Sequence, residues 1–151
     1  MSVHIHCQLT RTSVRRLVLR RVALSLLTRL GRADADIGIG FIGDTRMRRL
    51  NREYRKQDRT TDVLAFAYQE APTGMVSPLG DVVISMPAVR RQARALRCSL
   101  DEEVLRLLIH GVLHLVGYDH ERGGRQARIM RRKEAELLAA FIPTPRVVNE
   151  V

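Results

Sequence analysis

A single small α/β domain, with a mixed sheet of roughly four strands packed against about five helices, is the fold class this sequence predicts. Three observations carry it. Short apolar or alternating runs recur between longer stretches of helical periodicity, which is the pattern of strands alternating with helices. The 151 residues, 45% of them hydrophobic, suffice for one sizeable core. No internal repeat and no Pro/Gly/Ser-rich stretch divides the chain, so one domain is expected over residues 1–151.

In chain order, Val3 to Thr10 alternates like an edge or half-buried strand. Ser13 to Leu30 reads as a helix with Val14, Leu17, Val18, Ala23, Leu24 and Leu27 on one broad face, closed by Gly31. Ile37 to Ile42 reads as a second strand, and Asp44 as the N-cap of a helix ending near Tyr54. Thr61 to Tyr68 and Asp81 to Ser85 supply two more strands, with Ala71 to Pro78 a loop or hairpin connection marked by Pro72, Gly74 and Pro78. Pro87 suits the first turn of a helix running to about Arg97. Ser99, with Glu102 at the capping-box position, starts the next helix. The last helix is expected over Arg122 to Phe141, with Pro143 and Pro145 ending it before a short tail.

Composition narrows the function classes. A formal charge of +10 and a pI near 11.1 favour polyanionic partners, nucleic acid first. Aromatic residues are only 4% of the chain and Trp is absent, which argues against a platform where bases stack on exposed rings. Cys7 and Cys98 are too few for a disulfide framework, and Met1 to Cys7 lacks the basic start and long apolar stretch of a signal peptide. A cytoplasmic protein is the expectation, and no apolar stretch approaches the length of a membrane span.

The most informative run is His110-Gly111-Val112-Leu113-His114-Leu115-Val116-Gly117-Tyr118-Asp119-His120. Leu105, Leu108, Ile109, Val112 and Val116 recur at helical spacing, so His110 and His114, at i and i+4, share one helix face. Gly117 can end that helix in a left-handed turn and return His120 toward the first two imidazoles. Three nitrogen ligands leave a fourth position open, the arrangement of a catalytic metal. Nitrogen ligation suits zinc, nickel, copper or ferrous iron, with zinc the first expectation at one per chain. Asp119, Asp81 and Glu121 are the candidates to hold the outer ring nitrogens.

The spacing also occurs in the metzincin proteases, H-E-x-x-H-x-x-G-x-x-H, but Gly111 stands where their glutamate would be. A peptidase would lack its general base. Elsewhere, Arg122, Arg125, Arg128 and Arg132 align as a positive stripe on the last helix, along which phosphates could track. Arg90, Arg91, Arg94 and Arg97 form a similar cluster. Asn51 to Phe66 places Arg52, Arg55, Lys56 and Arg59 and a tyrosine just before a strand, where loops carry function.

Three blocks resemble the YbeY family, the bacterial rRNA maturation factors described as metal-dependent endoribonucleases. The His110 to His120 run resembles its H-G-x-L-H-L-x-G-Y-D-H signature, Asn51 to Phe66 its N-x-x-Y-R-x-x-D-x-x-T-[DN]-V-L-[SA]-F block, and Gly80 to Ile84 its G-D-[IV]-x-I strand. No motif position departs. The resemblance implies a zinc held by His110, His114 and His120, and a basic cleft for single-stranded RNA lined in part by Arg55, the family's invariant arginine. It implies a single-strand-specific endoribonuclease in which Arg55 and His114 serve catalysis, acting in 3′-end maturation of 16S rRNA and in ribosome quality control. Small-subunit ribosomal proteins and an assembly GTPase are the partners it implies. Arg59, Arg125 and Arg128 are further candidate RNA contacts. Two rival readings are a non-catalytic assembly factor whose metal only staples the fold, and a metallohydrolase of another substrate.

Overall fold

The structure is a computed structural model describing residues 2–67, 78–119 and 123–150. Its elements are β1 (Val3–Cys7), β2 (Thr12–Val14), α1 (Arg16–Arg29), β3 (Asp36–Ile42), α2 (Asp44–Arg55), β4 (Val63–Ala67), β5 (Pro78–Ser85), α3 (Met86–Leu96), α4 (Leu100–Leu115), α5 (Gly124–Ala139) and β6 (Val148–Glu150). A mixed four-stranded sheet runs in the order β1-β3-β5-β4, with β1, β3 and β5 parallel and β4 antiparallel at the edge. The expected mixed sheet and five helices are therefore present. None of the described helices is long and apolar enough to cross a membrane.

The two ends of the chain depart from expectation. Ser13 and Val14 belong to β2, which pairs antiparallel with β6, so the helix starts only at Arg16 and the expected tail returns as a strand. Arg15 donates from Nε to Asn149 Oδ1, and Arg15 N–H to Val147 O, both far across the sequence. The chain past the prolines is fixed by Asp101, whose carboxylate accepts from the N–H groups of Val147 and Val148 at 2.7 and 2.9 Å. The buried face of α1 is Leu19, Val22, Ala23, Leu26 and Leu27, while Leu17 and Leu24 are 68% and 42% exposed. The apolar residues surround α1 so broadly that periodicity could not fix its phase. Gly43, not Asp44, occupies the N-cap position of α2. Asp44 instead ties three elements together, accepting from Ser85 Oγ, Thr60 Oγ1 and the Arg91 guanidinium. Pro78 begins β5 rather than ending a loop, and the rest of the expected Ala71 to Pro78 connection lies outside the described residues.

Helix α4 occupies the centre. Ser99 Oγ accepts from Glu102 N–H at 3.0 Å, as the capping pattern requires, and three carboxylates in the first turn suit the positive end of the helix. Its residues Val104, Leu105, Leu108, Ile109, Val112 and Leu113 are buried, because sheet, α3 and α5 all pack on it. Glu103 is wholly buried yet paired, accepting two bonds from Arg106 at 2.6 and 2.7 Å. Gly111 permits a close approach to the sheet: a Cβ there would lie 2.6 Å from Val82 Cγ1 and 3.4 Å from Val63 Cγ2. Its lack of a side chain thus has a packing cause as well as a chemical consequence.

Candidate functional site

His110 and His114 project from one face of α4 as their spacing requires. Their rings meet edge to face with centroids 4.7 Å apart, and the two Nε2 atoms converge to 3.2 Å. Two nitrogens bound to one tetrahedral ion at ordinary zinc distances would be about 3.3 Å apart. The donor set and its spacing therefore fit a divalent transition metal. On the far side of the first ring, His110 Nδ1 lies 2.7 Å from Glu134 Oε1, and the two side chains are 29% and 24% exposed. A carboxylate there makes Nδ1 the protonated nitrogen and turns the Nε2 lone pair toward His114.

Glu134 was not among the residues expected to orient the histidines. It sits on α5, four residues after buried Met130 and three before buried Leu137, on the face that packs against α4. The legible signal was a carboxylate in phase with the inward apolar positions of the last helix. Asp81 is on the wrong side of the sheet: Val82 meets α4, so the neighbouring Asp81 points to the opposite face, where its Oδ1 lies over Gly38. Asp119 is half-buried beyond the turn at Gly117, which has the positive φ (+104°) expected of it. His120 and Glu121 lie outside the described residues. Among the described residues, no three His, Cys, Asp or Glu side chains gather as a metal site.

Arg55 ends α2 beside the edge strand. Ser85 N–H donates to Asp62 O, and the β4–β5 register makes Val63, Ala65 and Ala67 the positions whose backbone groups point away from β5. Arg55 Nη2 reaches the outward carbonyl of Ala65 at 2.5 Å while its guanidinium carbon lies 5.3 Å from the Phe66 ring centroid. Tyr54 packs edge-on against the same ring at 5.2 Å. Strand β4 is thus the element common to both halves of the site: α4 packs on its inner face, and Arg55 holds its free edge.

Most other residues of the Asn51 to Phe66 segment shape the loop. Buried Asn51 donates from Nδ2 to Arg59 O at 2.8 Å, and Lys56 takes a left-handed conformation at the helix end. Asp58 accepts from Arg48, which holds its carboxyl below the ordinary range. Arg59 folds onto Gln57 Oε1. On α5, Arg125, Arg128 and Arg132 are exposed and form the expected stripe, whereas Arg122 lies outside the described residues. The Arg90 to Arg97 cluster is partly committed to the fold, since Arg91 pairs with Asp44 and Arg90 with Thr12. The Arg91 bond is the main cause that lowers the Asp44 carboxyl below its usual value.

A family model described as Endoribonuclease YbeY matches residues 4–142. Proteins named Endoribonuclease YbeY are similar to this chain. The one from Anaeromyxobacter sp. strain Fw109-5 is 52% identical over 86% of this chain and 66% of its own length. The one from Aquifex aeolicus is 42% identical over 87% of each. A second Anaeromyxobacter relative, A. dehalogenans, is 49% identical, and the match spans 62% of its length, so this chain covers somewhat under two thirds of both Anaeromyxobacter proteins. A solution structure from Thermotoga maritima matches with TM-score 0.59 and 24% identity over 91% of this chain and 89% of that one, a likeness of fold.

Proposed function

Because this chain belongs to the YbeY endoribonuclease family, we propose that it is a zinc-dependent, single-strand-specific endoribonuclease acting in rRNA processing, at the 3′ end of 16S rRNA, and in ribosome quality control. Its setting is the cytoplasm, with small-subunit ribosomal proteins and an assembly GTPase as partners. The observation that carries the reading is the convergence of His110 and His114 Nε2 to 3.2 Å with Glu134 on the outer nitrogen of His110. His120 is the proposed third ligand. When bound, zinc supplies a Lewis acid and lowers the pKa of water.

The chain's own residues do the rest. Glu134 fixes the tautomer of His110, so the Nε2 lone pair of that ring faces His114 without reorganisation. Arg55, permanently charged and held between Ala65 O and the Phe66 face, presents remaining N–H donors to a scissile phosphate and balances the charge that develops there. The exposed Arg125 and Arg128 on α5, and Arg59 in the loop after Arg55, contribute positive field for the flanking phosphates. Gly111 leaves the helix without the glutamate a peptidase would need, which supports RNA over peptide as substrate.

The test is cleavage of a defined single-stranded RNA by zinc-loaded wild type, Arg55→Ala and His114→Ala. The expected result is cleavage by wild type, a loss of about 100-fold or more in both variants, and retained RNA binding by His114→Ala. Equal cleavage by all three would assign the activity to a contaminant. RNA binding without cleavage by wild type would favour a zinc-stapled assembly factor.

A further inference from the structure

The sheet face opposite α4 holds a cavity of about 520 Å³ that the histidine site does not use. Its floor is made by the pleat. His4 and His6 on β1, Gly38 and Gly40 on β3, and Asp81 on β5 all point to this face, and the register sets His4, Gly38, Asp81 and Phe66 in one row across four strands. Gly38 makes room for the Asp81 carboxylate, and Gly40 leaves a slot beside it and the imidazoles. At Gly38 a Cβ would fall 2.0 Å from Asp81 Oδ1, so the carboxylate itself lies over that residue's backbone. At Gly40 a Cβ would make only ordinary contact with Val83, at 3.9 and 4.0 Å, so the slot is open there. Helix α2 walls the cavity with Leu50 and exposed Arg46.

This chemistry selects among parts of a nucleotide. A carboxylate in the floor repels phosphate, so the slot is not where the backbone runs. Gly40 leaves a flat floor for a planar ring beside the carboxylate that covers Gly38, and the exposed imidazoles of His4 and His6 supply stacking partners at its side. Among the bases, guanine alone offers two adjacent N–H donors on its Watson–Crick edge, matched to the two oxygens of a carboxylate. Those oxygens carry about four acceptor sites, enough for a base beside any partner Asp81 already has. Adenine and cytosine would set a ring-nitrogen lone pair against the same group. We propose that this cavity binds a guanine base of single-stranded RNA through Asp81, stacked over Gly40 beside His4 and His6.

The proposal rests on the RNA reading given above and deepens it. Phe66, on which Arg55 lies, belongs to the same row as Asp81, and Gly38 is two strand spacings away, about 10 Å. A strand held by Arg55 at the sheet edge can therefore place a neighbouring base in the slot while Arg46 at the rim meets phosphate. The cavity would set where the RNA is cut relative to a guanine.

The experiment compares binding of labelled hexanucleotides UUUUUU and UUGUUU to wild type, Asp81→Asn and Gly40→Val, with a parallel NMR titration of the uncharged nucleoside guanosine. Wild type is expected to prefer the guanine-containing strand by about tenfold or more, since a good bidentate pair discriminates at that level. Both variants should lose the preference while keeping affinity for UUUUUU, and guanosine should move the Gly38 and Gly40 amide signals of wild type. Gly40→Val fills the slot without disturbing the Asp81 packing, so it serves if Asp81→Asn fails to fold. Equal binding of the two strands by wild type would overturn the guanine site and leave the RNA reading intact. Binding of neither strand would count against the RNA reading, and guanosine without effect on the glycine signals would then overturn the pocket as well.

Discussion

The two faces of the sheet are cut from the same four strands. Toward α4 the strands present Ile37, Ile39, Phe41, Val82 and Ile84, all nearly or wholly buried; away from it they present His4, His6, Gly38, Gly40 and Asp81 around a cavity. On the first face, glycine serves to bring a helix close, as at Gly111 under Val82. On the second, glycine leaves room, as at Gly40. The same residue type thus has opposite energetic meaning on the two sides. The functional groups divide accordingly: the proposed metal-ligand histidines on the helix that the closed face locks in place, and the proposed base slot on the part of the other face that α2, packed over Ile42 and Leu64, leaves open.

The largest expected effect that tests this division falls on the closed side. Glu134→Gln should weaken zinc binding about 10- to 100-fold, because the His110 ring loses the charged acceptor that orients it. Competition with a chromogenic chelator measures this, and an unchanged affinity would remove Glu134 from the site. Next comes the glycine contrast. Gly111→Ala should destabilise the fold by about 1–3 kcal/mol, since helix and sheet must separate to admit the methyl. Gly40→Ala should cost well under that, about 0.5 kcal/mol or less. Urea denaturation of the two variants reads both, and equal costs would erase the distinction between the faces.

A smaller effect concerns the outer surface of α5. RNA binding should weaken steeply between about 50 and 200 mM salt, and replacing Arg125 or Arg128 should each reduce the slope of log K against log salt by about 1 if that arginine meets a phosphate. The smallest is the pH response of Asp44, which joins α2 to β5 and α3. Its carboxyl lies below the ordinary value chiefly through the Arg91 bond, so its contribution is present above the unfolded pKa and lost as pH falls through the folded one. Asp44→Asn should cost up to about 1 kcal/mol at pH 7, screened by salt, with the difference from wild type shrinking below about pH 4. A constant difference at all pH values would mean that charge on Asp44 is immaterial.

What could be read in advance follows the range of the interactions. Helix α4 was legible almost residue by residue, because its cap, its apolar phase and its two histidines are all local features at i to i+4 spacing. Strand β2 was not, because it exists only by pairing with β6 at the other end of the chain. The phase of α1 was obscured by apolar residues such as Leu17 and Leu24 that remain exposed. The convergence of His110 and His114 was legible in the same way, from spacing, but Glu134 comes from a different helix and declares itself only through the α4–α5 packing. Asp81 stands among the sequence candidates for the outer ring nitrogens because strand alternation fixes its direction only once Val82 is known to meet α4.

The paired histidines are proposed to hold a metal. Elemental analysis of tag-free protein, with and without His110→Ala and His114→Ala together, tests it most directly. The prediction is about one zinc per wild-type chain, none in the double variant, and a lower unfolding midpoint once the metal is gone. Stoichiometric zinc retained by the folded double variant would contradict it.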